Sequence, residues 1–152
     1  MANYNFKEDI VIGESGEATI TQDLESMGAK FISDNKDYRY DILMETRRGK
    51  LKYEIKTDVY CTPIKDTGNM FIEFECRGKE SGINVTEADW FVMYYQYLGE
   101  AWYIKTPDLL KLINENNFRV TEFSGDKGSN TKGYLIKRET VRDSFIVRTI
   151  TK

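Results

Sequence analysis

The chain has 152 residues, no histidine and a formal net charge of −3. Its length fits a single domain, residues 1–152, that can bury a core. The absence of histidine excludes Ser-His and Cys-His nucleophiles, histidine general bases and zinc sites that need an imidazole. Catalysis would therefore depend on carboxylates, lysine, tyrosine, cysteine or a bound metal.

The composition also bears on compartment and partners. No apolar run approaches the roughly 20 residues that cross a bilayer, and residues 1–9 lack an apolar signal region. We therefore expect a cytoplasmic protein without membrane segments. Cys61 and Cys76 have neither metal-site nor redox spacing, so we expect free thiols. The negative charge argues only weakly against DNA binding, because a metal-dependent nuclease concentrates acids in its site.

The first half of the chain predicts one helix and three strands. Apolar residues recur at helical spacing over residues 14–27, and Gly28 supplies a helix stop. A polar loop at 34–37 separates the first two strands, and a turn at 47–50 makes a hairpin of the second and third. The three strands are predicted at residues 30–33, 40–44 and 51–56.

The second half is predicted to add a strand, a hairpin and two helices. Thr86 and Asp89 indicate a capped short helix, and Pro107 favours the start of a helix that ends near residue 116. Residues 125–133 read as a glycine-rich loop, and residues 134–150 give no secure assignment. The remaining strands are predicted at residues 70–75, 90–95 and 101–105. The expected fold class is α/β (α+β), a mixed central sheet flanked by helices.

The predicted hairpin brings together Asp41 and the segment Glu54-Ile55-Lys56. With the turn centred near residues 47 and 48, Asp41 falls opposite or next to Glu54, and directly opposed β-carbons lie roughly 5 Å apart. Two carboxylates at that separation can share one cation. Lys56 follows on the same face of the strand. Carboxylates that hold a divalent cation, with a lysine beside them, are suited to phosphodiester hydrolysis.

The alternative is that Glu54 and Lys56 belong to the solvated face of an amphipathic strand, which is a common surface pattern. Three features favour a site. Asp41 lies on a strand otherwise built of apolar residues, where aspartate is disfavoured. An upstream helix carries Glu14 and Glu17 three residues apart, able to share one face. A carboxylate-bearing strand follows the lysine.

These residues resemble the PD-(D/E)XK nuclease superfamily, which has the restriction-endonuclease-like fold. The family core runs helix, three antiparallel strands, helix and strand. Its signature places an acid on the second strand, matched by Asp41, and Glu-x-Lys on the third, matched by Glu54 and Lys56. A glutamate often stands on the first helix, where Glu17 matches and Glu14 is the close competitor.

The resemblance covers roughly residues 10–105. The segment Gly16-Glu17-Ala18, followed by Leu24 and Gly28, is similar to the first helix of the resolvase-like branch. One departure is Tyr40, which stands where the family often has proline before the acid. Two further segments resemble phage-encoded nucleases of this group: residues 67–73 and 81–89.

The resemblance implies a metal-dependent mechanism. Asp41, Glu54 and the backbone carbonyl of Ile55 would hold Mg²⁺, with Mn²⁺ as a substitute. The metal would acidify a bound water and stabilise charge on the phosphate. Lys56 would orient the attacking water or contact the phosphate, and Glu17 would hold a metal-bound water.

Other residues are candidates for supporting roles. Candidate accessory members of the site are Glu14, Glu73 and Glu75, and candidate phosphate contacts are Arg47, Arg48 and Lys52, with a solvated turn as the alternative for this basic cluster. Asp89 is expected to cap or support the short helix. The aromatic residues between Trp90 and Tyr103 are expected in the core and a dimer interface rather than stacked on bases.

The expected function is a Mg²⁺-dependent endodeoxyribonuclease, phage-encoded, whose favoured variant is a Holliday-junction-resolvase-like enzyme. A four-way junction presents two equivalent strands, so a homodimer is expected. Two alternatives stay open. One is a restriction-type or repair nuclease on duplex DNA, and the other is a non-catalytic DNA-binding module of the same fold.

Overall fold

Ten strands and three helices are formed by residues 6–35, 39–124 and 130–150, which are the residues that the computed structural model describes. The helices are α1 Phe6–Ser26, α2 Thr106–Glu115 and α3 Arg138–Val141. The first five strands are β1 Lys30–Asp34, β2 Ile42–Thr46, β3 Gly49–Asp58, β4 Asn69–Cys76 and β5 Lys79–Glu80. The other five are β6 Trp90–Tyr95, β7 Glu100–Lys105, β8 Arg119–Ser124, β9 Asn130–Lys137 and β10 Ile146–Thr149.

The strands form two sheets. The larger sheet has six strands in the order β1-β2-β3-β6-β7-β10, and the smaller has four in the order β5-β4-β9-β8. Within the larger sheet β3 and β6 run parallel, whereas its other neighbouring strands are antiparallel. The predicted α/β class with a mixed central sheet is therefore confirmed.

Alternating side chains let the larger sheet bury both of its faces. On β6, Val92 packs in the cluster that includes Ile20 and Leu24 of α1. Its neighbours Phe91 and Met93 join the opposite cluster, to which the smaller sheet and α2 contribute. Helix α1 thus covers one face, and the smaller sheet together with α2 covers the other. Strand β3 lies between these two layers.

Asp23 fastens α1 to the far side of the larger sheet. Arg148 of β10 grips its carboxylate with two hydrogen bonds, Nε to Oδ2 at 2.8 Å and Nη2 to Oδ1 at 3.0 Å. The hydroxyl of Tyr103 on β7 also donates to Oδ2 at 2.7 Å. The Asp23 side chain is 9% exposed and that of Arg148 is 34% exposed, so removing Arg148 would leave a mostly buried carboxylate with Tyr103 as its remaining partner. The register of α1 on the sheet is therefore strongly fixed.

Gly16 lets α1 approach β3 closely. A β-carbon built on Gly16 would lie 1.8 Å from Oγ1 of Thr57, so the helix crosses the strand at a point where no side chain fits. The next residue along the helix is Glu17. The close crossing therefore determines where the Glu17 side chain begins.

Several local predictions are confirmed. Helix α1 ends at Ser26 and Gly28 adopts a positive φ of 99°, as expected of a helix stop. The hairpins β2–β3 and β6–β7 and helix α2 form where the sequence placed them. Among the described residues, no helix is long and apolar enough to cross a membrane.

The short helix predicted at residues 86–89 is wrong. Thr86 donates its hydroxyl to the Arg39 carbonyl at 3.0 Å, and Asp89 Oδ2 accepts the N–H of Lys52 at 2.8 Å. The Thr86 hydroxyl also accepts the Ala88 N–H at 3.2 Å, but no helix follows it. The nearest helical element is a 3-10 turn at Gly82–Asn84, so the link between β3 and β6 contains β4, β5 and this turn rather than an α-helix.

The smaller sheet was not predicted as a unit. Strand β9 begins at Asn130, so the glycine-rich loop predicted at 125–133 is too long at its C-terminal end; residues 125–129 lie outside the described residues. Gly133 lies within β9, where a β-carbon would come within 2.5 Å of the Phe71 ring. This glycine permits close packing of β9 on β4 and does not mark a turn.

We expect Gly16→Ala to destabilise the protein by about 1–3 kcal/mol, because the added methyl group overlaps Thr57. Gly13→Ala, on the same helix with nothing within 4 Å of the new methyl, is the control. It is expected to be neutral or to stabilise by roughly 0.5–1 kcal/mol. Urea denaturation measures both, and equal stability of the two variants would contradict the proposed crossing. Thr57→Ala should restore part of the stability of Gly16→Ala.

Candidate active site

The hairpin register brings Asp41 to Glu54. Ile42 is opposite Tyr53, and continuing that register places Asp41 beside Glu54. Asp41 comes just before β2 rather than within it as predicted. Its N–H donates to the Tyr53 carbonyl at 2.9 Å, and its Oδ2 accepts the N–H of Ile55 at 2.7 Å. The Asp41 carboxylate thus accepts the Ile55 N–H in place of a backbone carbonyl of a neighbouring strand. This bond and the backbone bond to Tyr53 hold Asp41 against β3.

The same bond orients the Ile55 carbonyl. In a strand the N–H and C=O of one residue point to the same edge. Because the Ile55 N–H binds Asp41, its carbonyl also points to the edge of β3 on which Asp41 lies. A carboxylate and a backbone carbonyl therefore share this edge.

Glu54 is a buried carboxylate with only one of its oxygens partnered. Its side chain is 6% exposed, and Oε1 lies 3.3 Å from Nζ of Lys56, whose side chain is 41% exposed. Oε2 is buried without a hydrogen-bond partner. An unpartnered buried carboxylate oxygen is costly, and a hard cation is a partner that offsets this cost. The solvated-face interpretation of Glu54 is therefore wrong.

Glu17 joins the pair from α1. Its side chain is within hydrogen-bonding range of Asp41 and borders the same cleft. Two carboxyl groups hydrogen-bond to each other only when they share a proton. The side chain of Glu14, the competing helix glutamate, lies outside the described residues.

Burial dominates the ionisation of the two acids. It raises the pKa of Asp41, against the lowering effects of the Ile55 N–H and of the Lys56 charge. It raises the pKa of Glu54 to about 7, helped by the charges of Asp41 and Glu73 and opposed by Lys56. For Lys56, burial lowers the pKa but the carboxylates around it raise it by more. Near neutral pH the site therefore retains protons that a cation can replace.

These residues border an open cleft of about 1350 Å³ between α1, the start of β2, β3 and the smaller sheet. Acidic residues outnumber basic ones along its walls. The acids are Glu17, Glu25, Asp34, Asp41, Glu54, Glu73 and Glu80, and the bases are Lys56 and Lys79. Such a cleft attracts cations, and it accepts a phosphate group readily only when cations reverse its sign.

The donor set fits a hard divalent cation with few protein ligands. Within the described part of the chain, no three acidic or cysteine side chains are grouped around one ion position. Asp41, Glu54 and the Ile55 carbonyl supply oxygen donors only. Mg²⁺ prefers oxygen and usually retains several waters, so two carboxylates and a carbonyl satisfy its requirements.

The other predicted residues divide between the cleft and the surface. Glu73 borders the cleft, whereas Glu75 forms an ion pair with Lys132 at 3.3 Å. Arg47 and Arg48 lie exposed in the β2–β3 turn, at the opposite end of the hairpin and roughly 20 Å from Glu54.

Lys52 lies nearer to the site than either arginine. It shares the strand face of Glu54, and its ammonium lies 5.2 Å from the centre of the Tyr40 ring. The aromatic residues of β6 and β7 are largely buried, as expected of core: Phe91, Tyr94, Tyr95, Trp102 and Tyr103.

Sequence reasoning missed Lys79 and Ser81, which border the cleft from the β4–β5 hairpin. The available signal was Arg77-Gly78 directly after a strand, since a glycine in a two-residue connection favours a hairpin turn. Both residues have positive φ, 54° and 76°.

Comparison of the chain with protein-family models, with curated proteins and with solved structures gave no match.

We expect the stability of the wild-type protein to fall, relative to Glu54→Gln, between about pH 5 and pH 8. The pKa of Glu54 is about 7 in the folded protein, above the ordinary value of 4.5, so the folded state binds the extra proton in this window. Unfolding therefore becomes easier as that proton is lost, by on the order of 3 kcal/mol in total. Urea denaturation at several pH values without divalent cations measures the difference, and a constant difference would contradict the raised pKa.

Proposed function

We propose that this protein is a Mg²⁺-dependent endodeoxyribonuclease of the PD-(D/E)XK type. The observation that carries the proposal is the buried Glu54, which contacts Lys56 and has one unpartnered oxygen, beside Asp41. A purely structural ion pair between Glu54 and Lys56 would not explain the second carboxylate at Asp41. It would also not explain the unpartnered Oε2 of Glu54. The arrangement suits an oxygen-ligated cation next to a fixed ammonium group.

The residues of the chain divide the work of hydrolysis. A bound Mg²⁺ would lower the pKa of a water and stabilise charge on the phosphate. Asp41 is held in place by the Ile55 N–H, so it can bind the ion without reorganising. Lys56, half exposed at the cleft, orients the water or contacts the scissile phosphate. Glu17, at the cleft beside Asp41, would accept a hydrogen bond from a water of the bound ion.

The cleft has consequences for DNA binding. Its acidic walls disfavour phosphate unless a cation is bound, which argues against the non-catalytic DNA-binding alternative. Lys52 and Lys56 lie on the same face of β3 and offer two cationic contacts to one backbone strand. The preference for branched DNA and the homodimer come from the family resemblance and from the symmetry of a four-way junction.

Incubation of the protein with branched, duplex and single-stranded DNA is expected to give Mg²⁺-dependent internal cleavage of at least one substrate. Asp41→Asn and Lys56→Ala should each lower the rate about 100-fold or more, since the first removes a charged ligand of the ion and the second removes the ammonium group beside the reacting phosphate. Asp143→Asn and Lys111→Ala, which change the same residue types at exposed positions outside the cleft, serve as controls. No cleavage with Mg²⁺ or Mn²⁺ would refute the proposed nuclease function. Full activity of Asp41→Asn or Lys56→Ala would refute the role of that residue in the site.

The helix glutamates are expected to differ. Glu17→Gln should lower the cleavage rate about 10-fold and raise the Mg²⁺ concentration needed for half-maximal rate, because residues that hold metal-bound waters contribute on this scale. Glu14→Gln is the matched change three residues earlier on α1 and is expected to cleave like the wild type. The reverse result would transfer the role to Glu14.

A further inference from the structure

Glu73 reaches the cleft from a different sheet than the other acids. It lies on β4 of the smaller sheet and borders the cleft together with Glu54 and Lys56 of β3. Its charge is close enough to raise the pKa of both Glu54 and Lys56. The two sheets therefore face each other at this point through acidic and basic side chains rather than through apolar ones.

The strand pairing explains why Glu73, and not Glu75, serves the cleft. Glu75 is paired across the ladder with Lys132, which neutralises it at 3.3 Å. Glu73 is paired with Gly133, which offers no side chain. In a regular strand, Glu73 and Glu75 would lie on the same face, but a register shift between them lets their side chains take different directions. Among the described residues, Glu73 has no ion pair within 4.0 Å.

Gly82 packs closely against the backbone of Glu73. Gly82, with φ +52°, packs so closely that a β-carbon there would lie 2.2 Å from the Glu73 carbonyl oxygen. The neighbouring Ser81 borders the cleft, and its hydroxyl oxygen is buried without a partner. The smaller sheet therefore contributes a carboxylate and an unsatisfied hydroxyl to the cleft that Glu54, with its unpartnered Oε2, also borders.

We infer that Glu73 is part of the cation-binding site and binds waters of the divalent ion that Asp41 and Glu54 hold. This inference rests on the cation site of the proposed function. Direct coordination by all three acids is not expected, because no three of the described acids are grouped as ligands of one ion. Mg²⁺ retains several waters, and an acid across the cleft can accept hydrogen bonds from them. Glu73 is therefore a positioning residue.

The test is calorimetric titration of the full chain with MgCl2, without DNA, at about 0.15 M salt so that long-range charge effects are screened. Glu73→Gln is expected to weaken Mg²⁺ binding about 10-fold, as residues outside the first coordination shell commonly do. Glu75→Gln is the matched control, since it removes the same charge from the same strand, and should change binding less than twofold. Glu54→Gln should abolish measurable binding.

Thermal unfolding without cations checks that each variant is folded, and Glu73→Ala replaces Glu73→Gln if that variant is not. Wild-type affinity in a folded Glu73 variant would overturn the inference, as would equal weakening by Glu75→Gln, which would indicate a general charge effect. Absence of Mg²⁺ binding to the wild type would overturn it as well. Weakened binding in Glu73→Gln combined with no DNA cleavage by the wild type would leave this inference standing and refute the nuclease function.

Discussion

The burial of a carboxylate in the central strand is the constraint on which the rest of the site depends. Strand β3 has α1 on one face and the smaller sheet on the other, so Glu54 has little contact with solvent. Its neighbours along the strand, Tyr53 and Ile55, are buried core residues. A charge in that position is unfavourable without a partner. Lys56 partners one oxygen, and the other acids make the local charge more negative. A positive charge bound next to Glu54 in the cleft is therefore electrostatically favourable.

The contacts of helix α1 with the larger sheet determine the position of Glu17 at the site. Asp23, bound by Arg148 and Tyr103, fixes the C-terminal half of the helix on the far strands of the sheet. Gly16 fixes the helix against β3 one residue before Glu17. With an anchor on each side, Glu17 has little freedom to move along or around the helix axis. The proximity of Glu17 to Asp41 is therefore a property of the whole helix–sheet contact.

The sequence predicted those parts of the site that depend on local pairing. A tight turn sets the hairpin register, and the register alone brings Asp41 to Glu54. What could not be predicted depends on contacts between segments far apart in the chain. Asp89 resembled a helix cap but binds the N–H of Lys52. Gly133 resembled a loop residue, although its lack of a side chain admits the Phe71 ring within a sheet. The same pairing separates Glu73 from its sequence neighbour Glu75, which no pattern of single residues encodes.

The pairing of β4 with β9 also has a consequence for the order in which the molecule can form. Glu73 and Gly133 are about 60 residues apart in the chain, so β4 has no long partner strand until most of the polypeptide has been made. Contacts of that separation close late and slow the folding of the parts that depend on them. The helix, the hairpin and the parallel neighbour β6 can assemble earlier from nearer segments. On a ribosome, the acidic wall supplied by the smaller sheet would then lack its pairing with β9 until residues 130–137 emerge.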